Sequence, residues 1–110
     1  MGYWVSVVTP QSKGKYRHML VDEMHRSISW NYSDLLSALP CGWERQWQGM
    51  QAEDLINPVY ASIVELNAHP KKYEQYEKAN GLGTIETCRE ILQDALQLFR
   101  EHPDCIVVVE

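Results

Sequence analysis

The chain has 110 residues, a length that suits a single domain over residues 1–110 with a modest hydrophobic core. Its hydrophobic fraction of 45% and charged fraction of 23% are those of an ordinary globular protein, which excludes a disordered or collagen-like chain. The net charge of −5 leaves no basic patch that could follow a phosphate backbone, so we expect no nucleic-acid binding.

The N-terminal residues predict a β-hairpin. Tyr3 to Val8 is rich in aromatic and β-branched residues and stops at Thr9-Pro10, which is typical of a strand. A polar turn, Gln11 to Lys15, follows. Tyr16 to Glu23 is then predicted to return as the antiparallel partner of this strand.

Two helices are predicted in the middle of the chain. Ser33 is suited to cap a short helix over residues 34–39, because its side chain accepts the free N–H groups of a first turn. Asn57-Pro58 is typical of a helix start, with Asn as the cap and Pro at the first helical position, and predicts a helix to Ala68. In the alternative, residues 53–55 add an earlier turn and Pro58 kinks a longer helix.

The C-terminal half predicts two further helices. His69-Pro70 closes the preceding helix, and a short helical stretch follows over Tyr73 to Lys78. Asn80-Gly81 supplies the left-handed backbone that often ends a helix. Thr84 caps the next helix, Ile85 to Glu101, in which apolar residues recur at steps of three and four.

A final apolar strand, Cys105 to Val109, completes an α+β fold. We expect a small, mainly antiparallel sheet from the N-terminal hairpin and this strand, with three to four helices on one face. The terminal strands are apolar on both faces, so we predict a homodimer that forms through the open face or edge. In the alternative, the loop Cys41 to Met50, with Trp43 and Trp47, folds over that face.

The cysteines and the hydropathy predict a cytoplasmic protein. Cys41, Cys88 and Cys105 are odd in number and widely spaced, which favours reduced thiols over a disulfide framework or a zinc site. No stretch approaches eighteen apolar residues, and no secretory signal is recognisable at the N-terminus. We therefore expect no membrane association.

One grouping could bind a metal. His18, Asp22 and His25 would share a face if residues 17–26 were helical, with a spacing that suits a divalent ion and metal-assisted hydrolysis. In the predicted strand these three side chains do not share a face, so we predict no metal and no cofactor. No nucleophile and base pair is recognisable either, so we predict that the protein is not an enzyme.

The chain is rich in large aromatic residues that suit a ligand pocket or a protein interface, since they combine apolar area with a hydrogen-bonding tip. Trp43 and Trp47 are four residues apart, so a helical turn would place the two indoles together. Core packing is the alternative for all of these rings. The candidate residues are Trp30, Tyr32, Trp43, Trp47, Tyr73 and Tyr76.

A glycine loop, Asn80-Gly81-Leu82-Gly83-Thr84, leads into the start of a helix. Free N–H groups and the helix dipole at such a place can hold a phosphate or a carboxylate. The loop lacks the Lys of a phosphate-binding P-loop and no strand precedes it, which favours a purely structural connection. Asn80, Gly81, Gly83 and Thr84 remain the candidate binding residues.

Three motifs lie within residues 29–110: Trp30-Asn31-Tyr32-Ser33, Pro70-Lys71-Lys72-Tyr73-Glu74-Gln75-Tyr76-Glu77 and Asn80-Gly81-Leu82-Gly83-Thr84-Ile85-Glu86. Over these residues the chain resembles a family of small uncharacterised proteins from bacteria and their phages. In that family the loop usually reads Asn-Gly-Trp-Gly-Thr, and Leu82 stands at the position of the Trp. The resemblance implies an α+β fold and a phage or mobile-element setting, and it brings no catalytic residues.

The sequence thus predicts a small non-enzymatic interaction protein of phage, prophage or bacterial origin that modulates a host or defence protein. An acidic, aromatic-bearing surface would compete for basic sites on that partner or steer toward them. The alternative is a binder of a small anionic or nucleotide-like ligand, held between the Trp30 to Trp47 aromatics and the loop of residues 80–84.

Overall fold

The computed structural model describes residues 2–10, 19–78 and 81–110. Within these ranges it confirms the predicted α+β fold. Three 3-10 turns, Trp30–Tyr32, Glu44–Trp47 and Glu74–Tyr76, connect the longer elements. The strands and helices are β1 Gly2–Tyr3, β2 Val5–Val8, β3 Leu20–Glu23, β4 Ile28–Ser29, α1 Ser33–Ser37, α2 Ala52–Ala68, α3 Pro70–Tyr73, α4 Ile85–Glu101 and β5 Ile106–Val109.

The main sheet has β2 at its centre, with β3 on one side and β5 on the other, and both pairs are antiparallel. This arrangement confirms the predicted sheet of an N-terminal hairpin and a C-terminal strand. The predicted first strand divides at Trp4, whose N–H donates to the Glu110 carbonyl at 2.6 Å. Before this break, β1 pairs instead with β4.

The loop before α2 follows the outer edge of β5. The Gly49 N–H donates to the Val107 carbonyl at 2.8 Å, and the Val107 N–H donates to the Met50 carbonyl at 2.8 Å. Gln51 then forms a β-bridge with Ile106. The segment 49–51 therefore closes this edge of the sheet. At the opposite edge, β3 has β2 as its one neighbour among the described residues.

The hydrophobic core lies between this sheet and the two long helices, α2 and α4, which pack against each other. Val5, Val7 and Val107 contribute the fully buried side chains of the sheet. The apolar stripe predicted for α4 is confirmed, as are both ends of that helix. Its buried residues are Ile85, Cys88, Ile91, Leu92, Ala95, Leu96, Leu98 and Phe99.

The prediction that a helix starts at Asn57-Pro58 is wrong, and the earlier start of the alternative is confirmed, as is the predicted end at Ala68. Helix α2 begins at Ala52 and contains Pro58. Its first N–H groups need no capping side chain, because the turn before β5 accepts them: Ala52 N–H donates to the Cys105 carbonyl at 2.8 Å, and Glu53 N–H to the Pro103 carbonyl at 3.0 Å. Such a long-range cap leaves no local sequence signal.

The start of α1 also differs from the prediction. A 3-10 turn at Trp30–Tyr32 runs directly into α1, so Ser33 lies inside the helical segment. Ser29 takes the capping role, because its hydroxyl accepts the Asn31 N–H at 3.2 Å. The prediction that Ser33 caps this helix is therefore wrong, because the side-chain cap lies at the start of the 3-10 turn.

The helix predicted over Tyr73 to Lys78 is likewise displaced. Helix α3 starts at Pro70, in the first helical position, and a 3-10 turn over Glu74–Tyr76 follows it. Gly81 adopts the predicted left-handed backbone, with φ of 80°. The predicted cap at Thr84 is confirmed, since its hydroxyl accepts the Thr87 N–H at 3.3 Å.

The three cysteines are free and buried, as expected for reduced thiols. Burial raises the pKa of the Cys41 thiol to about 11, so this group is protonated at neutral pH. Among the described residues, no helix combines the length and the apolar character that crossing a bilayer would require.

Candidate functional site

The six candidate aromatic residues do not form one cluster. Trp47, Tyr32 and Tyr73 belong to the core, whereas Trp43 and Tyr76 are partly buried. Trp30 is the exception, because 54% of its surface is exposed. Core packing, the alternative considered for these rings, therefore describes half of them.

The prediction that Trp43 and Trp47 lie together is wrong. Both belong to the 3-10 turn around Glu44–Trp47, where three residues complete a turn, so positions four apart point about 120° away from each other. Trp47 packs edge-on against Phe99, with ring centroids 5.8 Å apart, and donates its indole N–H to the Cys41 carbonyl at 2.9 Å. Trp43 packs instead against Tyr3 at 5.9 Å.

Tyr73 and Tyr76 form a second, separate group at the junction of α2 and α3. Their ring centroids are 6.4 Å apart. The Tyr73 hydroxyl donates to Glu65 Oε1 at 2.7 Å, which satisfies the polar tip of an otherwise buried ring. This pair therefore joins α3 to α2, a structural role.

An aromatic groove of about 280 Å³ remains at the surface, lined by Tyr3, Trp30, Ser33 and Trp43. The β1–β4 pairing places Tyr3 opposite Ile28, two residues before Trp30. The Arg45 guanidinium lies 5.4 Å from the Tyr3 ring centroid and 5.7 Å from that of Trp43, at cation–π distance. We call the four groove residues together with Arg45 the Trp30 face.

The glycine loop contacts the segment that carries Trp30. Gly83 has φ of 72°, and a Cβ at this position would collide with the carbonyl oxygen of Asn31. Lys78 forms an ion pair with Asp34 at 2.6 Å, which holds the start of the loop against α1. Two motifs about fifty residues apart in sequence thus meet, and the half-exposed Leu82 lies one residue from their contact. Asn80 lies outside the described residues.

The loop offers little to an anionic ligand, because the protein uses the nearby N–H groups itself. The Ile85 N–H donates to Glu77 Oε2 at 2.9 Å, so a carboxylate of the chain already occupies the start of α4. Thr84 accepts the N–H of Thr87 in the same turn. These contacts favour the structural interpretation of the loop.

A buried acid, Glu44, lies between the two tryptophans of the 3-10 turn. Its side chain is fully buried, and neither carboxyl oxygen has a hydrogen-bond partner among the described residues. The Glu44 backbone N–H and the Trp43 indole N–H both oppose a rise in the pKa of this carboxyl, although the indole N–H does not reach hydrogen-bond geometry. Burial dominates and raises the pKa of Glu44 to about 7.

Sequence analysis missed Tyr3, Ser33 and Arg45 as members of the Trp30 face. Tyr3 was assigned only to a strand, and its ring contact with Trp43 joins residues forty positions apart in sequence. A weak signal existed for Arg45, because it stands two residues from Trp43 in a 3-10 turn and an arginine often packs on aromatic rings.

No protein-family model, no curated protein and no solved structure matches the chain. The resemblance to a bacterial and phage family therefore stays a prediction.

Replacing Gly83 by Ala should destabilise the fold more than replacing Gly81. Both glycines have positive φ, so either substitution should lower the free energy of unfolding by about 1 kcal/mol through backbone strain. Only at position 83 does the new Cβ also meet the Asn31 backbone, which should cost roughly 1–3 kcal/mol more. Urea denaturation measures both variants, and equal losses would show that the loop does not pack on Asn31.

Stability should depend on the protonation of Glu44. Because the pKa is raised from 4.5 to about 7 on folding, the folded state binds the proton more tightly, and stability is lost as pH rises through this range. Glu44→Gln should remove this loss, so its stability relative to wild type should rise by on the order of 2–3 kcal/mol between pH 4.5 and pH 8. Urea titrations across pH measure the difference.

The exposed Glu74 supplies the matched control for this pH effect. Glu74→Gln removes the same charge without a buried carboxyl, so its stability relative to wild type should stay nearly constant over the range. A flat difference for Glu44→Gln as well would contradict the inferred protonation.

Proposed function

We propose that the protein is a non-enzymatic interaction protein that binds a protein partner through the Trp30 face. The observation that carries this proposal is the exposure of Trp30 at the rim of an aromatic groove. Trp, Tyr and Arg are the residues that most often dominate binding energies at protein interfaces, and the Trp30 face combines all three. Its position is fixed on both sides, by the β1–β4 pairing and by the Gly83 contact.

The groove suggests which chemistry the partner presents. Its walls are mainly aromatic, so they fit an aromatic or aliphatic side chain. Arg45 forms no ion pair among the described residues and can receive a carboxylate beside that side chain. The partner segment we propose is therefore apolar with an adjacent acid, and it differs from the basic site that the net charge alone suggested.

The proposal also includes a biological setting, namely a phage or prophage origin and a cytoplasmic location. The resemblance implies a phage or prophage origin, with a host or defence protein as the partner. A cytoplasmic location fits the three free thiols, because thiols persist in reducing compartments.

A second proposal is that the protein forms a homodimer through β3. Met19, Leu20 and Val21 are exposed at this edge of the sheet, and Leu20 has 62% of its surface accessible. An edge strand presents unpaired backbone groups that a second copy can extend by antiparallel pairing. The β3 edge is the one we propose for the dimer, because residues 49–51 cover the β5 edge.

Trp30→Ala should reduce partner capture without unfolding the protein. Cross-linking of the tagged full chain in its native cells, followed by quantitative mass spectrometry, measures the partner. We expect Trp30→Ala to reduce the captured partner by about tenfold or more, because truncation of a central interface Trp costs 2 kcal/mol or more. Arg45→Ala should reduce it as well.

Tyr60 offers a matched control, since it is an aromatic residue of similar exposure on α2. Tyr60→Ala should leave capture unchanged. The proposal is wrong if Trp30→Ala still captures every protein that wild type captures. It is also wrong if Trp30→Ala and Tyr60→Ala lose the same captured protein equally while circular dichroism shows that both variants are folded.

Leu20→Lys should shift the oligomeric state from dimer to monomer. A lysine at an edge strand opposes pairing with a second copy, whereas it leaves the interior of the domain unchanged. Light scattering after size exclusion measures the mass over a range of concentrations. Val64→Lys, on the exposed side of α2, is the control and should remain a dimer. A monomeric wild-type protein at high concentration would exclude this proposal.

A further inference from the structure

A second cluster of polar side chains lies on the domain where β3 meets the end of α4. Asp22 Oδ2 and His102 Nε2 are 3.0 Å apart in a hydrogen bond. The carboxylate of Glu101 adjoins them, so that one potential ligand atom from each of the three residues lies within 4.8 Å of the other two. Imidazole and carboxylate groups at this separation are the ligands of borderline divalent ions.

The fold positions these groups from two distant parts of the chain. Asp22 pairs with Val7 in the β2–β3 ladder, and its side chain reaches the end of α4. His102 directly follows the last helical residue, and its N–H donates to the Leu98 carbonyl at 3.2 Å. Asp22 belongs to strand β3, and His102 is the residue that ends helix α4. Regular secondary structure therefore fixes the backbone positions of both residues.

The surroundings favour a cation. A cavity of about 60 Å³ adjoins the cluster, enough for an ion with one or two waters, and it is lined by Asp22, Glu101, His25 and Asp94, among others. The neighbouring Arg26 is already engaged by Asp94 at 2.9 Å.

We propose that Asp22, Glu101 and His102 bind a divalent transition-metal ion of the Zn²⁺ class. Ligand atoms around one tetrahedral ion are about 3.4 Å apart, so the present spacing requires only a small movement of the exposed Glu101 side chain. His102 Nε2 would exchange its hydrogen bond to Asp22 for the metal. Three protein ligands leave at least one position to water.

This cluster differs from the grouping of His18, Asp22 and His25 that the sequence suggested. That grouping required a helix over residues 17–26, whereas Leu20–Glu23 is a strand. Asp22 is common to both, and His25 lines the adjoining cavity. His18 lies outside the described residues. Glu101 and His102 complete the new set because α4 ends beside β3.

Calorimetry and thermal unfolding test the proposal on untagged, full-length protein freed of metals with a chelator. Titration with ZnCl₂ should show one ion bound per chain and a higher melting temperature, and titration with MgCl₂ should show neither, since an imidazole ligand favours transition metals. Addition of CoCl₂ should produce visible absorption bands of a low-coordinate Co²⁺ site.

Two variants separate a metal site from a simple ion pair. Glu101→Gln changes an exposed side chain and should weaken Zn²⁺ binding by about tenfold or more, as should His102→Asn. Glu90→Gln is the control, because this exposed acid lies about three turns earlier on α4. Absence of Zn²⁺ binding to wild type, or binding that survives in both Glu101→Gln and His102→Asn, would overturn the proposal.

Discussion

The antiparallel pairing of β2 with β5 is the constraint on which the rest of the structure depends. It joins Val5–Val8 to Ile106–Val109, almost the full length of the chain apart. The turn before β5 then supplies the carbonyl groups that cap α2, and the outer edge of β5 receives residues 49–51. A single strand pair thus orders the sheet, starts the first long helix and directs the 3-10 turn with Trp47 toward the core.

Local patterns were sufficient wherever an element's residues determine it on their own. Helix α4 was predicted from Ile85 to Glu101 because its apolar stripe and its Thr84 cap are both local signals. The start of α2 was mispredicted because its cap comes from the Pro103 and Cys105 carbonyls, which no window around Ala52 contains. The boundary errors therefore occur where long-range hydrogen bonds replace side-chain caps.

The candidate site was predictable in composition and not in geometry. Trp30 and the glycine loop were both singled out, but their proximity depends on the contact between Gly83 and Asn31, which sequence spacing does not encode. The Trp43 and Trp47 pair failed because a 3-10 turn, rather than an α-helix, separates their directions. A single sequence shows that large aromatic residues are present, whereas the local helix type decides which of them reach the surface.

Strand β3 contributes side chains to two separate surface contacts. The Asp22 side chain extends from it to His102, directly after α4, while Glu23, the next residue, accepts the Trp4 indole N–H at 2.8 Å. Successive side chains of a strand point to opposite faces. One short edge strand therefore contributes Asp22 to the cluster with Glu101 and His102, and Glu23 to a separate contact with Trp4. Because the Trp30 face is built instead on β1, α1 and the 3-10 turns, the proposed partner site and the proposed metal site lie on different elements of the fold. Substitutions can therefore test the two proposals independently.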